Sequence, residues 1–309
     1  MSFNSGTESP SPRPACASPA TAGEPSPLLS AEASAKAERG EGAQEPRGSV
    51  APAVAVRGVS KRFRSRQGDV HALDDVSLTI GRGEFVSIVG PSGCGKSTLL
   101  NMIAGLLPAS AGTIEVTGKP VTGPVRELGI VFQQHLLLAW RTILDNVLLQ
   151  IEVRRLDKAR YSERAKSLLG RVGLGEFADR FPDELSGGMN QRAAIVRALI
   201  HDPELLLMDE PFGALDAITR DQMGLDFHEL SRQEGKTVLF ITHSISEAVF
   251  LSNRVVVMSP RPGRIEEIVP IELPRERHFA IRDEPEFARH TRHIRRLFER
   301  MGVLKEHRA

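Results

Sequence analysis

The chain has 309 residues and a formal net charge of +1, from 40 Lys and Arg against 39 Asp and Glu. So small a net charge excludes a general attraction for nucleic acid or an anionic membrane, so partners must be recognised at individual sites. Hydrophobic residues make up 40% of the chain, but no uninterrupted apolar run approaches the roughly 20 residues that cross a bilayer. Two cysteines cannot form a disulfide framework, and the N-terminus lacks a secretory signal. We therefore expect a water-soluble chain in a reducing, cytoplasmic setting.

The N-terminal residues differ in composition from the rest of the chain. Of the first 50 residues, 30 are Pro, Ser, Ala or Gly, and only five are Val, Ile, Leu, Met, Phe or Trp. So few apolar side chains cannot offset the entropy lost on ordering. The composition predicts a disordered tail over residues 1–52, followed by a large folded domain over residues 53–275.

Short apolar runs, several followed by helix-like segments, predict an α/β domain with a mostly parallel sheet. The predicted strands are Phe85–Val89, Leu128–Phe132, Leu205–Met208, Val238–Ile241 and Val255–Met258. The run 76–80, the glycine-containing turn 81–83 and the run 84–89 together predict a β-hairpin.

Residues 137–200 interrupt this pattern of strands. Apolar residues there recur at helical spacing, as at Ala165, Leu168, Leu169 and Val172, and no strand candidate is apparent. The periodicity predicts an inserted helical subdomain.

The C-terminal residues 276–309 are predicted to form a helical extension. Phe287, Ile294, Leu297 and Met301 fall close to one helical face, and basic residues exceed acidic ones in this part of the chain. We expect an amphipathic helix packed on the domain or on a second copy. A role at a membrane surface or in regulation stays open as the alternative.

A glycine-rich loop follows the strand Phe85–Val89 and opens a helix-like run. It consists of Gly90, Pro91, Ser92, Gly93, Cys94, Gly95, Lys96, Ser97 and Thr98. This is a P-loop in its required strand and helix context, where backbone N–H groups and the helix N-terminus surround a polyphosphate. Lys96 is predicted to contact the β- and γ-phosphates of ATP, and Ser97 to ligate Mg²⁺. At Cys94, a small space-filling residue is favoured over a reactive thiol.

The run 205–208 ends in two adjacent acids, Asp209 and Glu210. Beside a P-loop, such acids supply a Mg²⁺ ligand and a base that polarises the attacking water, roles that we assign to Asp209 and Glu210 respectively. A solvated strand end before Pro211 is the structural alternative.

A second helix start follows at Ser186, Gly187 and Gly188. The apolar pattern after it predicts a capped helix whose N-terminus suits an anion. A capped helix alone is more often structural than functional. Whether this helix start binds an anion must therefore be judged from the surrounding motifs.

With these motifs in order, the sequence resembles the ATP-binding subunits of ABC transporters over residues 54–275. Within that superfamily, the stretches 132–134, 211–217 and 261–265 are similar to the nitrate, sulfonate and taurine importer group. The resemblance implies a P-loop NTPase fold of the ABC type, with an antiparallel β subdomain and the inserted helical subdomain. It also implies ATP hydrolysis coupled to transport.

The resemblance also assigns further site residues. Gln133 matches a glutamine that senses Mg²⁺ and the attacking water, and His243 matches a histidine that contacts the γ-phosphate, so both join Glu210 as catalytic candidates. Phe63 matches an aromatic that stacks on adenine, and Asp216 a nucleotide-site aspartate. Taken alone, Gln133 could be a solvated strand end, His243 a buried structural histidine, and Phe63 a core residue.

Two positions depart from the family pattern. Met189 replaces the usual Gln after Ser186–Gly188, which leaves the backbone and the helix N-terminus unchanged. Ala139 stands where the group often has Pro before Trp140, which could loosen the loop that faces the membrane partner.

The resemblance implies a head-to-tail homodimer with two ATP molecules at the interface. It further implies a separate membrane permease and, through it, a periplasmic or extracellular substrate-binding protein, with this chain on the cytoplasmic face of the membrane. Leu136, Leu137, Leu138 and Trp140 form the candidate permease contact, although such a cluster could equally be subdomain core. The alternative function is a non-transport ABC ATPase acting on nucleic acid or ribosomes. We do not expect a nucleic-acid partner, because such proteins usually carry two nucleotide domains or a long coiled-coil insertion.

Overall fold

The computed structural model describes residues 51–64, 68–213 and 215–304. Residues 1–50 of the predicted tail, with Cys16 among them, lie outside the described residues. In the described part of the chain, no helix has both the length and the hydropathy needed to span a bilayer.

The smaller of two sheets is antiparallel. Its strands are β1 (Val54–Phe63), β2 (Val70–Ile80), β4 (Ala111–Val116) and β5 (Lys119–Pro120). They lie in the order β2-β1-β4-β5, with antiparallel pairing throughout. One face of this sheet, with Val54, Val56 and Ile114 among its buried residues, packs in the apolar core that also contains the helix following the P-loop.

The larger sheet carries the predicted parallel strands. It consists of β3 (Phe85–Val89), β6 (Leu128–Val131), β7 (Leu205–Asp209), β8 (Thr237–Ile241), β9 (Arg254–Met258) and β10 (Ile265–Pro270). The order is β10-β9-β3-β8-β7-β6, and only the β9 and β10 pair is antiparallel. Every residue of β3 and β8 is buried, as expected for central strands covered on both faces. The predicted mixed α/β fold with a mostly parallel sheet is confirmed.

The predicted hairpin over residues 76–89 is wrong, because the chain changes sheets at the turn. Strand β2 pairs with β1, whereas β3 pairs with β8 and β9 in the other sheet. Since all five residues of β3 are buried, this strand needs a neighbour at each edge and cover on both faces. A two-stranded hairpin provides neither.

Seven α-helices complete the described fold. They are α1 (Lys96–Ile103), α2 (Ile143–Val153), α3 (Lys158–Arg171), α4 (Gly187–Leu199), α5 (Ala217–Gln233), α6 (Ile245–Leu251) and α7 (Pro285–Arg300). Helices α2, α3 and α4 all fall within residues 137–200, which are described throughout and contain no strand. Their buried residues Val147, Leu169 and Val196 belong to one apolar core.

Helix α7 lies on the domain. Its apolar face buries Phe287, Ile294 and Leu297 in the main core, and the helix packs against α6. Arg295 and Arg296 lie on the exposed face.

Candidate active site

The P-loop connects the carboxyl end of β3 to the start of α1. Gly93 and Gly95 have φ values of 74° and 105°, a region that side chains with a Cβ rarely adopt. A Cβ on Gly95 would also lie 2.6 Å from Cδ2 of Leu73. The glycines therefore fix both the path of the loop and its close approach to β2.

Lys96 is the first residue of α1, and its side chain is buried. Its Nζ donates hydrogen bonds to the carbonyl oxygens of Gly90, at 2.9 Å, and Pro91, at 3.1 Å. The ammonium group thus lies within the curve of the loop, where a phosphate oxygen can replace these carbonyls as its partner.

Arg261 supports the P-loop from outside, and sequence reasoning missed it. Its Nε and Nη2 donate to the carbonyl oxygen of Gly93 at 3.1 and 3.0 Å. Nearby, a Cβ on Gly263 would lie 1.9 Å from the Cys94 carbonyl oxygen, so this segment lies directly against the loop. The stretch 261–265 entered the sequence analysis only as a family match, and no local pattern indicates a contact across 168 positions.

The Cys94 side chain is buried beneath the loop. Burial raises the pKa of its thiol, although Lys96 acts in the opposite direction. A protonated, buried thiol is unreactive, which favours the space-filling interpretation of Cys94.

Asp209 ends β7, and its carboxylate lies close to the Ser97 side chain at the start of α1. Burial raises the pKa of Asp209, and the charge of Glu210 adds to this rise, whereas Ser97 and Lys96 lower the pKa. A hydroxyl and a carboxylate are the hard oxygen ligands that Mg²⁺ prefers, with phosphate oxygens and waters completing its coordination. Among the described residues, no group of three or more His, Cys, Asp and Glu could hold a metal alone. The pair therefore fits a Mg²⁺ ion shared with bound phosphates.

The three predicted catalytic residues meet at one carboxylate oxygen. Oε2 of Glu210 lies 3.4 Å from Nε2 of Gln133 and 3.4 Å from Nδ1 of His243. The His243 side chain is 62% exposed, and Gln133 is also exposed. The alternative of a buried structural histidine is therefore wrong.

The backbone at Glu210 is unusual. Its φ is 47°, a left-handed conformation that costs a non-glycine residue on the order of 1–3 kcal/mol. The Glu210 N–H donates to the Ile241 carbonyl oxygen at 3.0 Å, which helps to hold this conformation. The carboxylate is thereby fixed at the carboxyl ends of β7 and β8.

Two residues that the sequence analysis did not single out shape the neighbouring loops. Arg220 donates to the Phe212 and Leu215 carbonyl oxygens at 3.2 and 2.8 Å. Glu247 accepts a hydrogen bond from the Thr242 hydroxyl, and burial raises the pKa of the Glu247 carboxyl. Both residues lie in helices with ordinary periodicity, so the sequence contained no signal that distinguishes them.

Other predicted site residues lie apart from the P-loop. Ser186 caps α4 by accepting a hydrogen bond from the Met189 N–H at 3.3 Å, and Asp216 caps α5 by accepting one from the Thr219 N–H at 3.0 Å. Both caps are exposed. Within the described residues, no hydrogen bond connects either cap to Gly90–Thr98.

Phe63 ends β1 in the antiparallel sheet. Its ring is partly exposed, and Nζ of Lys61 lies 5.1 Å from the ring centroid. The interpretation of Phe63 as a core residue is wrong, because an exposed ring contributes little to the core. Its stacking on adenine stays a prediction.

Comparisons with known proteins agree with this geometry. The ABC transporter family model matches residues 73–213. An uncharacterized ABC transporter ATP-binding protein of Methanocaldococcus jannaschii is 49% identical over 222 residues, covering 72% of this chain and 83% of the relative. The taurine import ATP-binding protein TauB of Rhizobium johnstonii is 48% identical over 241 residues, covering 75% and 91%.

A solved structure is similar as well. The dimeric structure of an ATP-binding cassette in a post-hydrolysis state, bound to ADP and Pi, has a TM-score of 0.64 and 32% identity. The match covers 72% of this chain and all of that one. The predicted family resemblance, fold class and ATPase activity are confirmed. The chain belongs to the ABC transporter family, as an ATP-binding and ATP-hydrolysing protein.

Proposed function

We propose that this protein is the ATP-hydrolysing motor subunit of an ABC importer, acting at the cytoplasmic face of the membrane. The imported substrate is a small oxyanion such as nitrate, an alkanesulfonate or taurine, and it crosses through a separate permease. The observation that carries the ATPase part of the proposal is the convergence of Gln133 and His243 on the Glu210 carboxylate beside a P-loop. The similarity to a taurine import protein supports the substrate class.

The P-loop binds the polyphosphate of ATP. The glycine N–H groups and the N-terminus of α1 surround the phosphates, and Lys96 exchanges its carbonyl partners for β- and γ-phosphate oxygens. Mg²⁺, held by Ser97 and Asp209 with Gln133 close by, would neutralise charge on these phosphates. Phe63 would stack against the adenine ring.

Glu210 acts as the general base. Its carboxylate accepts a proton from a water positioned in line with the γ-phosphate, and Gln133 orients that water. His243, whose Nδ1 lies 3.4 Å from Oε2 of Glu210, donates a hydrogen bond to the γ-phosphate. The Glu210 and Ile241 backbone contact holds the base in place, so little rearrangement is needed at the moment of reaction.

The exposed start of α4 supports a second copy as partner. The N–H groups after Ser186 carry partial positive charge and leave room for an anion, since a Cβ on Gly187 would meet no heavy atom within 4 Å. We infer that this helix end contacts the γ-phosphate bound by the other chain. Two-fold symmetry then completes two sites, with Asp216 of each chain at the interface.

The segment before α2 supports contact with a permease. Trp140 is 75% exposed and Leu136 is 52% exposed, which weighs against the interpretation that this cluster is entirely core. Exposed apolar side chains grouped in this way are typical of a protein interaction surface.

Two polar side chains beneath this segment hold it in place, the half-buried Arg197 and the fully buried Asn146. Arg197 on α4 donates to the carbonyl oxygens of His135 and Leu136 at 2.8 and 2.7 Å. Asn146 accepts from the Leu138 N–H at 2.7 Å and donates to its carbonyl oxygen at 3.0 Å. Because α4 begins at the anion-binding end and also bears Arg197, a shift of α4 on ATP binding would move the permease contact. The same hydrogen bonds stabilise the loop that contains Ala139, where the family often has Pro.

Substrate choice would belong to the permease and to a periplasmic or extracellular binding protein, because this chain contacts nucleotide, its own copy and the permease. Deletion of the gene should abolish ATP-dependent uptake of one of nitrate, taurine or an alkanesulfonate. Normal uptake of all three would contradict the substrate class. Purification from membranes should recover a multi-span protein, whereas nuclease-sensitive recovery of ribosomes or DNA would favour the non-transport alternative.

A further inference from the structure

A cleft of about 400 Å³ lies at the amino ends of β3 and β8. These are the ends opposite the P-loop and His243. The turn before β3, the end of α5 and the segment after β10 form its walls. A cleft of this size accommodates a small ligand.

The lining of the cleft is strongly cationic. It includes five basic side chains, Arg82, Arg232, Lys236, Arg275 and Arg277. Glu84 is the one acidic residue among the described residues of the lining, so five positive charges and one negative charge give these residues a net charge of +4. His228 adds none near neutral pH, because burial lowers its pKa to about 4.

The negative charge of Glu84 is already neutralised. Arg254, which is not part of the lining, contacts both carboxylate oxygens, with Nη2 at 2.7 Å from Oε2. The Gly81 N–H donates to the same Oε2 at 2.8 Å. Glu84 therefore does little to balance the cations of the cleft.

Arg277 is the residue that most clearly indicates an anion site. Only 8% of the residue is exposed, and among the described residues its guanidinium donates to carbonyl oxygens alone, those of Phe250, Pro274 and Ser252. Burial lowers its pKa to about 10, so it is still charged at neutral pH. A buried charge that lacks an opposite charge is costly, and three bonds leave two of its five N–H donors free.

The other cations are compensated to different degrees. Arg82 pairs with Glu204 at 2.6 Å, and Lys236 pairs with Asp202 at 2.7 Å. In the part of the chain that the structure describes, the one ion-pair partner of Arg232 is Glu276, at 3.6 Å, whose side chain is 86% exposed. Such an exposed pair contributes little.

Arg275 completes the uncompensated group. Within the described residues, it forms no ion pair. The cleft thus presents three cations, Arg232, Arg275 and Arg277, whose charges are weakly balanced or not balanced by the chain itself.

We propose that this cleft is a second anion site, which binds a multivalent oxyanion such as a phosphate-bearing or polycarboxylate small molecule. Guanidinium groups from two chain segments converge there, and bidentate contacts of guanidinium with phosphate or carboxylate are strong and geometrically specific. The site is separate from the P-loop, because the two lie at opposite ends of β3.

Isothermal titration calorimetry tests the proposal with two probes, pyrophosphate and citrate. The titrations use the full chain in magnesium-free buffer with saturating ADP, so that the P-loop is filled and chelation contributes no heat. We expect saturable binding of at least one probe. Binding of pyrophosphate alone indicates a phosphate-bearing ligand, and binding of citrate alone indicates a carboxylate. No saturable binding of either probe would overturn the proposal.

Charge reversal locates the site. Arg232→Glu combined with Arg275→Glu changes two exposed side chains of the cleft, and should weaken binding by roughly tenfold or more. Arg295→Glu combined with Arg296→Glu is the matched control, because it changes the net charge equally on the exposed face of α7. Equal weakening by both pairs would show a general charge effect and contradict a site in the cleft.

Discussion

The carboxyl end of the parallel sheet and the exposed surface of residues 137–200 differ in whether their functional groups have contact partners within the same chain. At the sheet, Lys96, Glu210 and His243 already have partners inside the molecule. On the helical segment, the N-terminus after Ser186 and the Trp140 side chain are exposed. The fold of a single chain therefore already positions the residues proposed to hydrolyse ATP, whereas the helical segment presents exposed surfaces.

In the proposed function, the exposed features serve contacts with a second copy and with a permease, which one chain cannot make alone. A helix N-terminus that faces water attracts an anion, and an exposed apolar side chain is stabilised when a partner covers it. We therefore expect substitutions at the sheet to impair hydrolysis itself, and substitutions on the helical segment to impair association or coupling while leaving ATP binding by a single chain intact.

The largest effect is expected for Glu210→Gln. The amide cannot accept the proton from the attacking water, so turnover should fall by about 10²–10⁴-fold, whereas ATP binding should persist because Lys96 is unchanged. Phosphate release and nucleotide binding measure the two properties. Glu163→Gln, at a highly exposed carboxylate of α3, is the control, and a Glu210→Gln variant with normal turnover would remove Glu210 from its assigned role.

Gly187→Asp tests the exposed helix end. The side chain has space, because a Cβ there meets no heavy atom within 4 Å, and an acid in the first turn suits the helix. Its charge should nevertheless repel the phosphate bound by the other chain, lowering ATPase activity by roughly tenfold or more. Gly187→Ala is the matched control.

Nucleotide affinity and dimerisation distinguish the possible outcomes for Gly187→Asp. We expect ATP to bind the single chain with unchanged affinity and the ATP-dependent dimer to be lost. If the variant dimerises and turns over like Gly187→Ala, the helix end does not contact phosphate.

Trp140→Ala tests the coupling surface. Because this side chain is 75% exposed, its removal should leave the ATPase activity of the isolated subunit near that of the wild type, but uncouple hydrolysis from transport in the reconstituted complex. Leu106→Ala, at another exposed apolar residue that lies outside the helical segment, is the control. Equal loss of both activities would contradict a coupling role.

The smallest effect is expected for Arg261→Ala. It removes two hydrogen bonds to the Gly93 carbonyl oxygen, so the P-loop should be less well ordered before ATP binds. Because the guanidinium is exposed, we expect only a few-fold rise in the Kd for ATP, measured by equilibrium titration. An unchanged Kd would show that Gly263 and the loop glycines hold the P-loop without Arg261.

Local signals explain which features the sequence predicted. The P-loop lies between a strand and a helix that are recognisable from adjacent residues, and Ser186 was predicted as a cap from the residues after it. The prediction of a hairpin over residues 76–89 was wrong because a glycine turn gives no information about which sheet each flanking strand joins. That choice depends on the pairing of β3 with β8 and β9, far along the chain.

Long-range contacts explain what was missed at the site. Arg261 donates two hydrogen bonds to Gly93, 168 positions away, and Glu247 accepts one from Thr242 in the turn before α6. Neither contact leaves a periodic pattern in the sequence. The family resemblance supplied Gln133 and His243, and the structure places both beside Glu210. Their catalytic roles stay predictions until the variants are measured.

The central claim is that ATP joins two copies of this chain, because it binds the P-loop of one copy and the N-terminus of α4 in the other. Sedimentation velocity of the Glu210→Gln variant in the presence of Mg²⁺, with no nucleotide, with ATP and with ADP, tests it most directly. The account predicts a monomer without nucleotide and a dimer with ATP, but not with ADP. A monomer under all three conditions, with ATP shown to be bound, would contradict the account.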